Sequence, residues 1–183
     1  MQPPQTHAQW LGHIQAADLA LLTKLNKLDH PVLGRVMSAL TVLGNTSSWV
    51  IAGFGLLMMG GTFTLLGQRL AIAALSGAAI AQVLKRIAKR TRPSHAHSVI
   101  QARCDVPKCS SFPSGHTLTA FSVAMALGGL DNGVGTVVLL FACGVGASRV
   151  YLGAHYPADV TVGACLGSAW GALFFAFGGP IPS

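Results

Sequence analysis

From Ser47 to Gly67 the chain carries no charged side chain. The hydrocarbon core of a bilayer takes about 20 apolar residues in helical form. Within it the backbone must satisfy its own hydrogen bonds, so such a stretch reads as a transmembrane helix. The pattern recurs: Leu70–Leu84, Thr117–Leu130 with the turn from Ser114 included, Val134–Ala147 and Val160–Phe177 are the further spans, about five in all. Charged residues make up only 9% of the chain, far below the roughly 25% usual in soluble domains. The expected fold is therefore all-α, a polytopic transmembrane helix bundle. No linker, low-complexity run or internal repeat divides it, so residues 1–183 read as a single membrane domain. Interfacial helices are expected in 1–45 and the transmembrane bundle in 46–183.

The N-terminal region has a different character. Met1 to His13 shows no basic run, apolar core or cleavage site of a signal peptide. Between Ile14 and Asn26, apolar residues recur at helical spacing (Ile14, Leu19, Leu21, Leu22, Leu25) among Asp18, Lys24 and Lys27. This is the pattern of an amphipathic helix lying on a membrane surface. A second short helix is expected from Pro31 to Leu43, opened by its proline and closed by Gly44-Asn45. In the last span Gly163, Gly167 and Gly171 form a small-residue stripe that lets a neighbouring helix of the bundle approach closely.

The formal charge is +7, and Lys85, Arg86, Lys89, Arg90 and Arg92 are five of the twelve Lys and Arg residues. Such a cluster beside apolar segments fits a groove for a small anion near the bilayer. A nucleic-acid partner is not expected, since no stacking-aromatic pattern accompanies the charge. Lys85 and Arg92 are two helical turns apart and share a face if the helix persists to Pro93. Arg86, Lys89 and Arg90 read as interfacial anchors among lipid headgroups.

Two further stretches carry chemistry. Phe112-Pro113-Ser114-Gly115-His116 has the composition of a helix N-terminus, where free N–H groups and the helix dipole favour an anion. Ser148-Arg149 is followed by His155-Tyr156-Pro157-Ala158-Asp159. If Pro157 opens a helix, Asp159 lies in its first turn and can reach one ring nitrogen of His155. The other nitrogen is then free to act as a nucleophile. Arg149 adds a third cation suited to paired hydrogen bonds with phosphate. Each spacing also occurs at plain helix starts; three together are far more specific. The second span ends where the third begins and the fourth ends where the fifth begins, so all three motifs fall at one membrane face.

Read in order, they are K-x6-RP, PSGH and SR-x5-H-x3-D. This resembles the type 2 phosphatidic acid phosphatase superfamily, which also includes the vanadium-dependent haloperoxidases. The resemblance runs from about Lys85 to Asp159 with every signature position present. It implies that His155 attacks phosphorus and forms a phosphohistidine, that Asp159 holds it, and that His116 protonates the leaving alkoxide and then activates water. It further implies that Lys85, Arg92, Ser114, the Gly115 backbone and Arg149 neutralise the equatorial oxygens, with no metal or other cofactor. The implied substrate is a lipid phosphate monoester or diphosphate, such as phosphatidic acid, phosphatidylglycerophosphate or a polyprenyl diphosphate. The implied location is a bacterial-type inner membrane. A lipid phosphotransferase would use the same residues. A haloperoxidase would be larger and soluble, and a binding or transport homologue without chemistry would have lost one of His116, His155 and Asp159.

The loop from Thr91 to Phe112 is the long polar connection and should cap the site. His95 and His97 stand in it without the further ligands of a metal site. Cys104 and Cys109 could form a small disulfide or remain thiols, while Cys143 and Cys165 read as packing residues. With five spans, all Lys and Arg except Arg69 lie on the side of the motifs, which the positive-inside rule would place in the cytoplasm. Much of that charge serves the anion site, however, and the resemblance favours an extracytoplasmic one.

Overall fold

A computed structural model describes residues 7–130 and 133–178 as a bundle of helices. In chain order these are α1 (His7–Asn26), α2 (Pro31–Leu43), α3 (Thr46–Met59), α4 (Thr62–Ala88), α5 (Pro93–Ala96), α6 (Gly115–Ala126), α7 (Gly133–Tyr151) and α8 (Pro157–Gly178). Met1 to Thr6, and Asp131-Asn132 of the turn expected before Gly133, lie outside the described residues.

The uncharged runs become helices, but not all of them reach across a bilayer. Among the described residues, Thr62–Ala96, Gly133–Tyr151 and Pro157–Phe177 are long and apolar enough to do so. The pair α2 and α3, bent by 59° at the break between them, makes a fourth if it is taken as one broken span. The segment expected to span from Thr117 to Leu130 is instead the 12-residue α6, about 18 Å long at 1.5 Å per residue and too short for a core of about 30 Å. Its apolar character has another cause. Residues Thr117 to Ala120, Ser122 to Ala124 and Ala126 are all buried inside the bundle. The first expected span also ends early, at Met59, because Gly60 and Gly61 take φ values of 70° and 57° and turn the chain.

Helix α6 is the axis around which α4, α7 and α8 pack. The close approach of α8 depends on the stripe of small residues. A Cβ at Gly163 would sit 2.9 Å from the carbonyl oxygen of Ser114, and at Gly167 and Gly171 it would collide with the carbonyls of Leu118 and Ser122. The core between the helices is built from Trp49, Leu70, Ala73, Ala74, Ala120, Val123, Ala142 and Val145. Ile51, Phe54, Ile72, Val137, Leu140 and Phe177 point outward and stay exposed, the face such a bundle turns to lipid.

Helix α1 gives its Leu22 side to the protein, where Leu22 packs with Ile100, Val150 and Tyr156 while Ile14 and Leu21 remain exposed. Its C-terminal end is stitched to the long loop. Asn26 donates to the carbonyl of Gln101 at 2.9 Å and accepts from the Gln101 amide at 3.0 Å. Nη2 of Arg103 donates to the Asn26 carbonyl at 2.6 Å. This loop closes over the end of the bundle where α4 and α7 finish and α6 and α8 begin.

Candidate active site

At that end lies a cavity of about 460 Å³, lined by Lys85, Arg92, Gly115, His116, Arg149 and His155. Each arrives by a different local device. Lys85 is in the last turn of α4. The helix does not persist to Pro93 as the two-turn spacing supposed. It ends at Ala88, and Lys89 takes the left-handed conformation (φ 47°). Arg92, preceding a proline, is extended (φ −72°, ψ 152°). The reversed chain, rather than a shared helical face, puts its guanidinium in the cavity with Lys85.

Ser114 is the N-cap of α6. It is fully buried, its hydroxyl accepts from Thr117 at 2.9 Å, and it lies behind the cavity wall rather than on it. The amides of 115–117 precede the first intrahelical bond, from the Leu118 amide to the Ser114 carbonyl, so they carry the positive end of the helix. A Cβ at Gly115 would stand 3.5 Å from Nζ of Lys85, which measures how near that ammonium comes to the helix end. The Ser114 amide also donates to the Asp159 carbonyl at 3.0 Å, tying the second motif to the third.

The third motif folds as its proline suggests. Pro157 begins α8 with Asp159 in the first turn. Asp159 Oδ2 accepts from the Tyr156 amide at 3.0 Å, the reciprocal half of a capping box. The same oxygen faces His155 Nδ1 at 3.5 Å, a long contact, and Nδ1 has no closer partner among the described residues. On the far side of the ring, Nη1 of Arg92 lies 3.2 Å from Nε2 and also donates to the Ala154 carbonyl at 3.2 Å. A guanidinium only donates, so Nε2 is the unprotonated nitrogen and the proton sits on Nδ1, toward Asp159. Burial, with Arg92 and Arg149 nearby, brings the pKa of His155 down to about 4 against the opposing pull of Asp159. His116 is brought down to about 3, first by burial and then by Arg149 and the other cations. Both rings are neutral at pH 7, and the cavity is cationic.

Several contributors lie outside the motifs. Thr41 of α2 accepts from Nη1 of Arg149 at 3.3 Å and pairs with Ser148 at 2.7 Å; an isolated threonine in an apolar helix gives no sequence signal of this. The cysteines are free thiols. Cys109 Sγ accepts from Nη2 of Arg92 at 3.3 Å, and Cys104 lies 3.9 Å from Nη1 of Arg149. His97 stacks edge-on against Tyr156, with ring centroids 6.3 Å apart.

The largest departure concerns Arg90, which was read as a headgroup anchor. Its Nη1 donates to Asp159 Oδ1 at 2.7 Å and its Nη2 to Asp18 Oδ2 at 2.9 Å, while the guanidinium lies 4.0 Å from the centroid of the Tyr156 ring. Asp18 was available as a clue, being one of only five acidic residues in a largely apolar chain.

Comparison with known proteins agrees with this architecture. The family model described as the PAP2 superfamily matches residues 66–180. Decaprenylphosphoryl-5-phosphoribose phosphatase of Mycobacterium tuberculosis is 39% identical over 101 residues, 55% of this chain and 55% of that protein. Phosphatidylglycerophosphatase B of Bacillus subtilis is 30% identical over 169 residues, 84% of this chain and 79% of that one. The crystal structure of a transmembrane PAP2-type phosphatidylglycerolphosphate phosphatase from Bacillus subtilis superposes with a TM-score of 0.75 at 28% identity, covering 95% of this chain and 88% of that chain. The chain thus spans about half the length of the mycobacterial relative and most of the Bacillus one.

Proposed function

The chain belongs to the PAP2 superfamily, and on that premise we propose that it is an integral membrane lipid phosphatase working through a phosphohistidine on His155. The carrying observation is the deprotonated Nε2 of a buried, neutral imidazole opening on a cavity with three cationic side chains and a helix N-terminus. In the first step Nε2 bonds to phosphorus as the ester P–O bond breaks, and the departing lipid alkoxide takes a proton from His116, which the negative charge of the bound phosphate, offsetting the cations around it, has brought to its protonated form. In the second, water attacks phosphorus, the P–N bond breaks, and His116 recovers the proton. Lys85, Arg92, Arg149 and the α6 amides offset the charge spread over the equatorial oxygens, while Asp159 holds the Nδ1 proton and steadies the ring.

The substrate is a phosphate monoester or diphosphate on a lipid, of the phosphatidic acid, phosphatidylglycerophosphate or polyprenyl diphosphate kind. Thr41, Val42, Asn45 and Thr46 at the α2–α3 break, facing Ala78, Ala81 and Gln82 of α4, form the part of the cavity beside the bundle's outer face and suit the glycerol or prenyl end of a headgroup. We place the site on the extracytoplasmic side of a bacterial inner membrane. In support, Arg90, Arg92, Arg103 and Arg149 are engaged by protein groups, so their charge is spent on structure and site. Labelling of the exposed Cys109 in intact cells by a membrane-impermeant maleimide tests this; protection until the cells are lysed would put the site in the cytoplasm.

The activity is tested by phosphate release from purified protein against phosphatidic acid, phosphatidylglycerophosphate, undecaprenyl diphosphate and a lipid A 1-phosphate, with and without EDTA. Release by wild type and none by a folded His155→Ala variant is expected, with EDTA making no difference. Full activity in His155→Ala would overturn the mechanism, and no release from any lipid would overturn hydrolysis in favour of transfer to a lipid acceptor.

A further inference from the structure

Three side chains from three separate parts of the chain stand in a row behind His155. The Asp159 side chain is completely buried. A carboxylate so placed is costly unless its charge is matched and its lone pairs are used. One oxygen is used by the Tyr156 amide at 3.0 Å and faces His155; the other is held by Arg90 at 2.7 Å. Arg90 is in turn held by further contacts. Its second terminal nitrogen is paired with Asp18 at 2.9 Å, its flat face covers the Tyr156 ring, its amide donates to the Ser110 hydroxyl at 3.0 Å and its carbonyl accepts from the Ser111 amide at 2.8 Å. Asp18 does a second task, accepting from the Ala158 amide at 2.8 Å. That amide is one of the unpaired donors at the start of α8, so α1 supplies from outside the cap that the first turn of α8 lacks.

We propose that Arg90 and Asp18 are positioning residues for the nucleophile, Arg90 setting the charge and plane of Asp159 and Asp18 of α1 setting Arg90 and the first turn of α8. The inference rests on the reading of His155 as the phosphoryl acceptor. Neither residue lines the cavity on which His155 opens. Arg90 borders a neighbouring cavity with Lys85 and Arg92, but its guanidinium is taken up by Asp159 and Asp18, so its influence on the chemistry runs through Asp159 and the imidazole. The arrangement makes α1 part of the working site rather than only a surface anchor: wherever α1 is seated against α8, the carboxylate has its counter-charge and the ring its orientation. If Arg90 is removed, Asp159 keeps the Tyr156 amide but loses the counter-charge on its other oxygen, and a buried group left with an unmatched oxygen shifts to find a new partner. The carboxylate then no longer stands squarely on Nδ1–H to steady the imidazolium-like charge that develops as Nε2 bonds to phosphorus.

The test compares Arg90→Ala, Arg90→Lys, Asp18→Asn, Asp159→Asn and the double variant Arg90→Ala/Asp159→Asn. Arg90→Ala should lower kcat about a hundredfold, the scale of a small misplacement of a reacting group, with KM and inhibition by orthovanadate unchanged. Arg90→Lys should recover part of the loss, and Asp18→Asn should lose less than Arg90→Ala. In the Asp159→Asn background, Arg90→Ala should cost nothing further, because its only route to the chemistry is gone. A full kcat in Arg90→Ala, or a loss that persists undiminished in the Asp159→Asn background, would overturn the proposal, the second outcome showing that Arg90 merely pins α1. The nitrogen NMR spectrum of His155, assigned by its disappearance in His155→Gln, gives a readout independent of turnover. A shift of the Nδ1–H signal is expected in Arg90→Ala, because its carboxylate acceptor is displaced while Arg92 keeps Nε2 unprotonated, and an unchanged ring spectrum would overturn the proposal. If wild-type protein releases phosphate from no lipid, the phosphatase reading fails, and the ring spectrum alone decides the positioning.

Discussion

Nη1 of Arg92 sits 3.2 Å from Nε2 of His155, on the nitrogen that must attack. The same side chain donates through Nε to the Cys109 carbonyl at 3.1 Å and through Nη1 to the Ala154 carbonyl, so its plane is fixed before any phosphate arrives. A planar fork can orient the nucleophile's lone pair in the resting site and turn the same N–H to an equatorial oxygen as phosphorus takes up that lone pair; a lysine ammonium is a point charge on a flexible stem and cannot do both. Arg92→Lys should therefore keep the charge yet lower kcat/KM at least about a hundredfold, the order found when a preorganised donor is lost. Steady-state kinetics with orthovanadate as competitor would check it. Near-normal turnover would mean that charge alone is what position 92 supplies.

The two histidines make stability depend on pH in a definite direction. His155 and His116 have folded-state pKa values of about 4 and about 3, against 6.5 for a free histidine. Below pH 6.5 the unfolded chain takes up protons that the folded site refuses, so stability is greatest above 6.5 and declines as pH falls through about 4 for His155 and toward about 3 for His116. The melting temperature should drop across that window in wild type and drop less in His155→Gln. A phosphate or vanadate anion in the cavity would offset Arg149, Lys85 and Arg92, raising His116 toward the protonated form that a general acid needs. Titration of the His116 ring by NMR should show its midpoint move up when the anion binds; an unmoved midpoint would remove His116 from that role.

How much of this was legible beforehand depends on whether a signal is local. The three motifs are local, and Lys85, Arg92, Gly115, His116, Arg149 and His155 line one cavity, because hydropathy also places their helix ends together. Pro157 announced the start of α8, and the four-residue spacing of His155 and Asp159 placed them in contact. Hydropathy does not distinguish a helix facing lipid from one facing protein, which is why α6 resembled a span. The left-handed turn at Lys89 has no signature either, so the two-turn spacing suggests a helix to Pro93 and Arg90 reads as an anchor among lipid headgroups. The links from Asp18 and Thr41 cross most of the chain and arise only from tertiary packing.

The thiol of Cys109 should react unusually fast. Partial burial pushes its pKa up, but the hydrogen bond from Arg92 and the charge of Lys85 outweigh that and leave it below the ordinary thiol value. The sulfur is exposed on a wall of the cavity, so an adduct there would block Arg92. N-ethylmaleimide should inactivate wild type, inorganic phosphate should slow the loss, and Cys109→Ser should stay active under the same treatment. Mass spectrometry showing full labelling of Cys109 with activity intact would refute the expectation.

The small-residue stripe of α8 has a steric consequence that composition alone does not settle. A methyl group at Gly171 would collide with the Ser122 carbonyl and would stand 2.8 Å from Cβ of Met125. Both lie on the helix that carries His116 at its other end, and neither backbone nor Cβ can swing aside as a flexible side-chain tip can. Overfilling a packed contact of this kind costs about 1–3 kcal/mol, and here it would also push α6 away from α8. Gly55 in α3 has nothing within 4 Å of where its Cβ would be and serves as the control. Gly171→Ala should lower the melting temperature in detergent and reduce turnover in proportion to the folded fraction, with Gly55→Ala unchanged or slightly more stable through its better helix propensity. Equal melting temperatures for the two variants would show that α6 and α8 stand further apart in the membrane than these contacts require.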